Sequence, residues 1–166
     1  MTTLIKCLVI PADDAQELRI EEVDPTLENL QRAIGGGYLQ VLHLEQPSMS
    51  LYVDEEGAMK NLPVNVRASA FWRTHNPVFY GAKPLVGDAI ITGPPDRRGI
   101  ETSVPEEFIA LIFNTEEYAV EIQFVDDGPW IRNADPYRTW QHAYAVALRI
   151  LKSDLAQVER VRVVPV

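Results

Sequence analysis

The patterned stretches of this chain are short, and turn-forming residues close nearly every one of them. Pro11 ends the apolar run from Thr3 to Ile10, Asp24-Pro25 opens a helical pattern, and Gly35-Gly36-Gly37 stops it. Gly93-Pro94-Pro95, Asp126-Asp127-Gly128-Pro129 and Asp135-Pro136 interrupt the chain again further on. Only short strands and short helices fit between such breaks. No stretch approaches the roughly 18 consecutive apolar residues of a transmembrane helix.

Residues 3–10 and 17–23 read as strands, the second half-exposed. Asp24 is the expected N-cap of a helix with Pro25 at its first position, Glu28 in its first turn and an apolar face of Leu27, Leu30 and Ile34. Tyr38 to Leu44 and Met49 to Val53 read as strands, with the turn Asp54-Glu55-Glu56-Gly57 after them. Residues 61–87 carry an irregular segment and a short helix within Val64 to Trp72, then a Pro-interrupted loop. Asp88 to Thr92 is a strand, 94–103 an exposed loop, and a helix runs from Val104-Pro105-Glu106-Glu107 through Phe113.

The last quarter reads as a β-hairpin, a helix and a strand. Tyr118 to Val125 turns back at 126–129 into Trp130-Ile131-Arg132. The helix is capped by Asp135-Pro136 and carries Tyr137, Trp140, Ala143, Tyr144, Ala147, Ile150 and Leu151 on one face. Glu159 to Val166 closes the chain with Val161, Val163 and Val166 on one side. The expected fold is α+β: a mixed sheet with two or three flanking helices over 1–115, and a ββαβ appendage over 116–166 packed on it.

With 166 residues, 46% of them hydrophobic, the chain is long enough to bury a core. Its single cysteine, Cys7, excludes an internal disulfide framework and a cysteine-rich zinc site. The first ten residues, with Lys6 alone for charge, do not read as a signal peptide, so the expected location is the cytoplasm. Net charge is −9, distributed as −5 over 1–31, +1 over 32–100, −8 over 101–131 and +3 over 132–166. An acidic chain lacks the clustered Lys and Arg that meet a phosphate backbone, so nucleic acid is disfavoured as a partner despite Arg132, Arg138, Arg149, Arg160 and Arg162. The acidic blocks read as solvated faces.

Several short motifs occur together in one order. Leu27-Glu28-Asn29-Leu30-Gln31 leads into Ile34-Gly35-Gly36-Gly37-Tyr38, and the acidic turn 54–57 is followed by Asn61-Leu62-Pro63-Val64-Asn65. Leu85-Val86-Gly87-Asp88-Ala89-Ile90-Ile91-Thr92-Gly93 comes last. Over residues 3–113 this order resembles the DUF3846 family, a domain of unknown function in bacteria, their phages and mobile elements. An extra glycine at 35–37 and a longer stretch at 67–84 depart from the family pattern. The resemblance implies a phage-like or mobile-element-like setting in a bacterial cell and transfers no chemistry.

Gly35-Gly36-Gly37 follows a helix and precedes a strand, the reverse of a phosphate-cradling loop. No Gly-x-Ser-x-Gly elbow, Walker loop or dinucleotide fingerprint is present, and His43, His75 and His142 lack metal-ligand spacing. Cys7, mid-strand among apolar neighbours, reads as a small buried hydrophobe. The expectation is no catalytic residue, no metal and no cofactor, with a dispersed active site left open.

The richest stretch is Arg67 to Tyr80, with Arg67, Phe71, Trp72, Arg73, His75, Phe79 and Tyr80. Aromatic rings beside guanidinium groups suit stacking on a base, and equally a protein hot spot. The plainer reading, preferred from the residues, makes Phe71, Trp72 and Phe79 core and leaves the arginines solvated. Asn65, Arg67, Trp72, Arg73, His75, Tyr80, Arg97 and Arg98 are the candidate ligand- or partner-binding residues. The leading expectation is a non-catalytic binding protein that sequesters or blocks a host protein. The alternatives are a nucleotide-like ligand binder or small hydrolase using loop 67–80, and an acidic mimic of nucleic acid through 101–127. A homodimer through the C-terminal unit is expected if the 136–152 stripe is left uncovered.

Overall fold

In the computed structural model, which describes residues 3–153 and 157–166, the chain folds as α+β. By its internal contacts it divides into two units, Met1–Ser69 with Lys83–Glu106, and Ala70–Ala82 with Glu107–Val166.

The first unit is a five-stranded sheet of β1 (Ile5–Ile10), β2 (Arg19–Val23), β3 (Leu39–Leu44), β4 (Met49–Asp54) and β5 (Ala89–Thr92), in the order β2-β1-β5-β4-β3. The sheet is not mixed, as expected from sequence, but antiparallel throughout. β5 lies between β1 and β4 and runs opposite to both, so β1 and β4, which share a direction, never touch. Helix α1 (Leu27–Ala33) covers one face, where Leu30 and Ile34 pack with Val9, Tyr52 and Ile90. Its N-cap is Thr26, whose hydroxyl accepts from Asn29 N–H at 3.2 Å, and not Asp24. Asp24 instead gives its carbonyl to the Asn29 side chain at 3.1 Å. At the exit Gly35, Gly36 and Gly37 all take positive φ, and Gly36 N–H returns to the Gln31 carbonyl at 2.8 Å.

Helix α2 (Val66–His75) and a 3-10 turn (Pro77–Phe79) occupy most of the stretch expected as a loop. The residues of α2 up to Ser69 belong to the first unit and those from Ala70 to the second. Asn65 caps α2 by accepting from Ala68 N–H, and the bonds that anchor this cap reach residues distant in sequence, which local pattern does not reveal.

The second unit holds α3 (Glu106–Phe113, from Glu107 onward), β6 (Tyr118–Gln123), β7 (Ile131–Arg132), α4 (Trp140–Lys152) and β8 (Arg160–Pro165), the strands antiparallel in the order β7-β6-β8. The expected order of hairpin, helix and strand is present. The helix starts later than Asp135-Pro136, because Tyr137 is held extended by reciprocal backbone hydrogen bonds with Tyr118 at 2.7 and 2.8 Å. Thr139 caps it instead, accepting from His142 N–H. Trp140, Ala143, Tyr144 and Ala147 are buried, so the helix stripe is covered inside the chain and is not a free face for self-association. Val161 and Val163 are buried, whereas Val166 is exposed beyond the end of β8. Among the described residues no helix is long and apolar enough to cross a membrane.

Candidate binding surface

Asn65 sits at the start of α2 with no exposed surface. Its Nδ2 donates to the carbonyls of Ile10 and Gly87, each at 2.9 Å, and its Oδ1 accepts from Ala68 N–H at 3.0 Å. Every polar group of the side chain is thus engaged in joining β1, the segment before β5 and the first turn of α2. Ser69, one turn on, donates to the Asn65 carbonyl and accepts from Leu85 N–H. Arg67 holds the bend after β1: its guanidinium donates to Pro11 O at 2.7 Å and Asp13 O at 3.1 Å and lies 3.8 Å from the Asp14 carboxylate. These residues organise the first unit.

In the second unit, α2 carries Phe71 and His75 into an aromatic cluster. Phe71 stacks on Trp140 at 5.0 Å and meets Phe108 and Tyr144 edge-on. His75 Nε2 and the Tyr144 hydroxyl share a hydrogen bond of 2.6 Å. Burial pushes the Tyr144 phenol far above its ordinary pKa.

Trp72 and Arg73 do something different. The Trp72 indole, only 7% exposed, lies against the Phe79 ring with centroids 5.1 Å apart and planes at 22°. Arg73 Nη2 donates to the Ala82 carbonyl at 2.5 Å. The backbone of the bracket is pinned as well, with Phe79 N–H on Asn76 O, Tyr80 N–H on Pro77 O and Ala82 N–H on Phe79 O. On this support Val78, Phe79 and Tyr80 stand outward, 84%, 40% and 49% exposed. The structure therefore brings Trp72, Arg73 and Tyr80 into one bracket and adds Val78, which sequence reading did not single out. An apolar residue after Asn76-Pro77 was the available signal.

Arg97 and Arg98 belong to the first unit, on an exposed turn organised by Asp96. The Asp96 carboxylate accepts from the backbone N–H groups of Arg98 and Ile100 and lies 3.3 Å from the Arg98 guanidinium. These contacts, the Ile100 hydrogen bond foremost, hold the Asp96 pKa down. In the acidic block Glu121 is engaged, pairing with Arg162 at 2.7 Å and Arg132 at 3.3 Å, while Glu116, Glu117, Asp126 and Asp127 are exposed.

Two buried groups of the first unit face the α1 side of the sheet. The Tyr52 hydroxyl donates to Glu101 at 2.5 Å, and burial, then that bond, raises its pKa. Cys7 is fully buried, and desolvation, then the charges of Glu21 and Glu101, push its thiol up to about 12. Among the described residues no three His, Cys, Asp or Glu side chains are grouped to hold a metal ion.

No curated protein and no solved structure matches this chain. The family model for a domain of unknown function, DUF3846, matches residues 5–117, which takes in Asn65, all of α2 and the bracket at 72–82 and stops one residue before β6. The chain therefore belongs to the DUF3846 family.

Proposed function

We propose that this chain is a non-catalytic binding protein, of the phage or mobile-element kind that the family resemblance implies, which blocks a host protein by docking the Val78–Tyr80 tip into an apolar recess of it. The observation that carries the reading is the Trp72–Phe79 stack beneath three exposed large side chains. An unsupported apolar loop loses its freedom on binding, at roughly 0.5–1.5 kcal/mol for each immobilised side chain. Here the Trp72 ring below and the Arg73 bond to Ala82 across the base have already restricted it. Aromatic side chains presented in this way are the residue types that dominate binding energy at interfaces.

The test is native mass spectrometry of the chain purified gently from a bacterial host, beside Val78→Glu. The proposal expects a host protein bound at fixed stoichiometry to the native chain and lost from the variant, with the circular dichroism unchanged. A mass excess of a few hundred daltons that leaves on denaturation would replace it with a small-ligand reading. A host protein retained equally by Val78→Glu would move the surface elsewhere.

A further inference from the structure

Three of the five arginines in the last quarter of the chain come together on one face of the three-stranded sheet. Residues directly opposite in an antiparallel pair share a face. Arg132 of β7 and Arg162 of β8 both stand opposite Glu121 of β6, and Arg160 stands opposite Gln123 in the next row. Glu121 is the only acid within the three strands. Its carboxylate lies 3.3 Å from Arg132 and 2.7 Å from Arg162, so two guanidinium groups share one negative charge and the row keeps a positive one. The Arg132 and Arg162 side chains stay 49% and 35% exposed. Trp130, half-buried just ahead of β7, lies on the same side, with the Arg162 guanidinium 4.1 Å from its ring centre. The opposite face, with Val120, Val161 and Val163, is buried on the side of α4.

We infer that this face binds single-stranded nucleic acid, with backbone phosphates meeting Arg132 and Arg162 and a base stacking on the Trp130 ring. The chain as a whole, at −9, repels a phosphate backbone, and on this face the sign is reversed. An acidic protein would also meet the guanidinium groups, but its carboxylates make no use of a ring. Every base has a π-face, and an aromatic side chain beside basic ones holds a single strand without reading its sequence. A duplex keeps its bases stacked on one another, out of reach of the indole. An open sheet face also suits a strand better than a free nucleotide, because a strand repeats the stack and the phosphate contact along the rows. This binding does not depend on the Val78–Tyr80 tip.

The experiment is fluorescence anisotropy of a fluorescein-labelled oligothymidylate of about 15 nucleotides, near the upper end of single-strand site sizes, titrated with the full chain. Saturable binding is expected, weakening roughly tenfold between about 50 and 200 mM salt, as two or three phosphate contacts at about −0.7 each in logarithmic slope require. Arg132→Gln is expected to weaken binding and to flatten that slope by about 0.7. Trp130→Ala is expected to cost roughly tenfold with the slope unchanged, and Trp130→Phe, which keeps a ring, to recover most of it. Arg149→Gln, exposed on α4, makes the same change of charge elsewhere and is expected to bind as the native chain does. Should Trp130→Ala fail to fold, Trp130→Phe and the slope of Arg132→Gln decide. No anisotropy change up to about 100 micromolar chain, the weak end of non-specific binding, overturns the inference. Equal weakening by Arg149→Gln and Arg132→Gln, or equal binding of the annealed duplex, overturns it as well. Displacement of the strand by polyglutamate of matched charge overturns it in favour of an acidic protein.

Discussion

Trp72 is buried and Phe79 is not, yet their rings lie stacked with centroids 5.1 Å apart. The pair carries the rigidity of a helix out to a surface turn, and it separates a residue's role in support from its role in contact. Phe79→Leu keeps apolar bulk and removes the stack. We expect a loss of about 0.5–1.5 kcal/mol in urea unfolding, the usual worth of an aromatic pair.

His75 and Tyr144 make the second close pair, at 2.6 Å inside the aromatic cluster of the second unit. Tyr144→Phe keeps the ring and deletes the hydroxyl, leaving a buried imidazole nitrogen without that partner. The expected cost is about 1–3 kcal/mol, read by chemical denaturation. A neutral result would mean that the hydroxyl contributes nothing to the cluster.

The three glycines after α1 separate backbone strain from crowding. At Gly35, with φ +88°, a Cβ meets nothing within 4 Å, so Gly35→Ala carries only the left-handed penalty of about 1–2 kcal/mol. At Gly37, with φ +99°, a Cβ would stand 2.6–2.8 Å from the Asp54 carboxylate, itself bonded to Lys60 at 2.6 Å. Gly37→Ala is expected to lower the melting temperature well beyond Gly35→Ala. Equal effects would contradict the close approach.

Alkaline pH tests Cys7. Its folded-state pKa is raised from 9.0 to about 12, so the folded chain holds this proton more tightly than the unfolded one. The contribution is complete below pH 9.0 and is lost progressively as pH rises from there towards about 12. Tyr52 and Tyr144 act with the same sign from pH 10.0 upward. Cys7→Ala is therefore expected to flatten the decline between pH 9 and 10 and to leave the steeper loss above it. An unchanged profile would contradict the assignment to the thiol.

What the sequence made legible was whatever depends on near neighbours. The apolar run of 3–10 closed by Pro11, the alternation over 118–125 and the glycine exit of α1 lead directly to β1, β6 and the turn before β3. What stayed hidden rests on distant contacts. Asn65 reads as a turn residue; its Oδ1 caps α2 locally on Ala68 N–H, and what stays hidden are its Nδ2 bonds to Ile10 and Gly87, which fasten that cap to β1 and the segment before β5. Asp135-Pro136 is a sound local cap that loses to Thr139 because Tyr118, far back in the chain, holds Tyr137 extended. The antiparallel sheet follows from the insertion of β5 between β1 and β4, which no local spacing announces. Of the candidate site residues, Trp72 and Arg73 lie beneath the Val78–Tyr80 turn and hold it through the Phe79 ring and the Ala82 carbonyl.

The central claim concerns where a partner sits, so the most direct measurement is site-resolved photo-crosslinking in a bacterial host. p-Benzoylphenylalanine would be placed at Tyr80, in the tip, and separately at Arg97, on the exposed turn of the first unit. The account predicts one discrete cross-linked host protein from position 80, abolished when Val78→Glu is introduced, and none from position 97. A product of equal yield from both positions, or from position 97 alone, would contradict it.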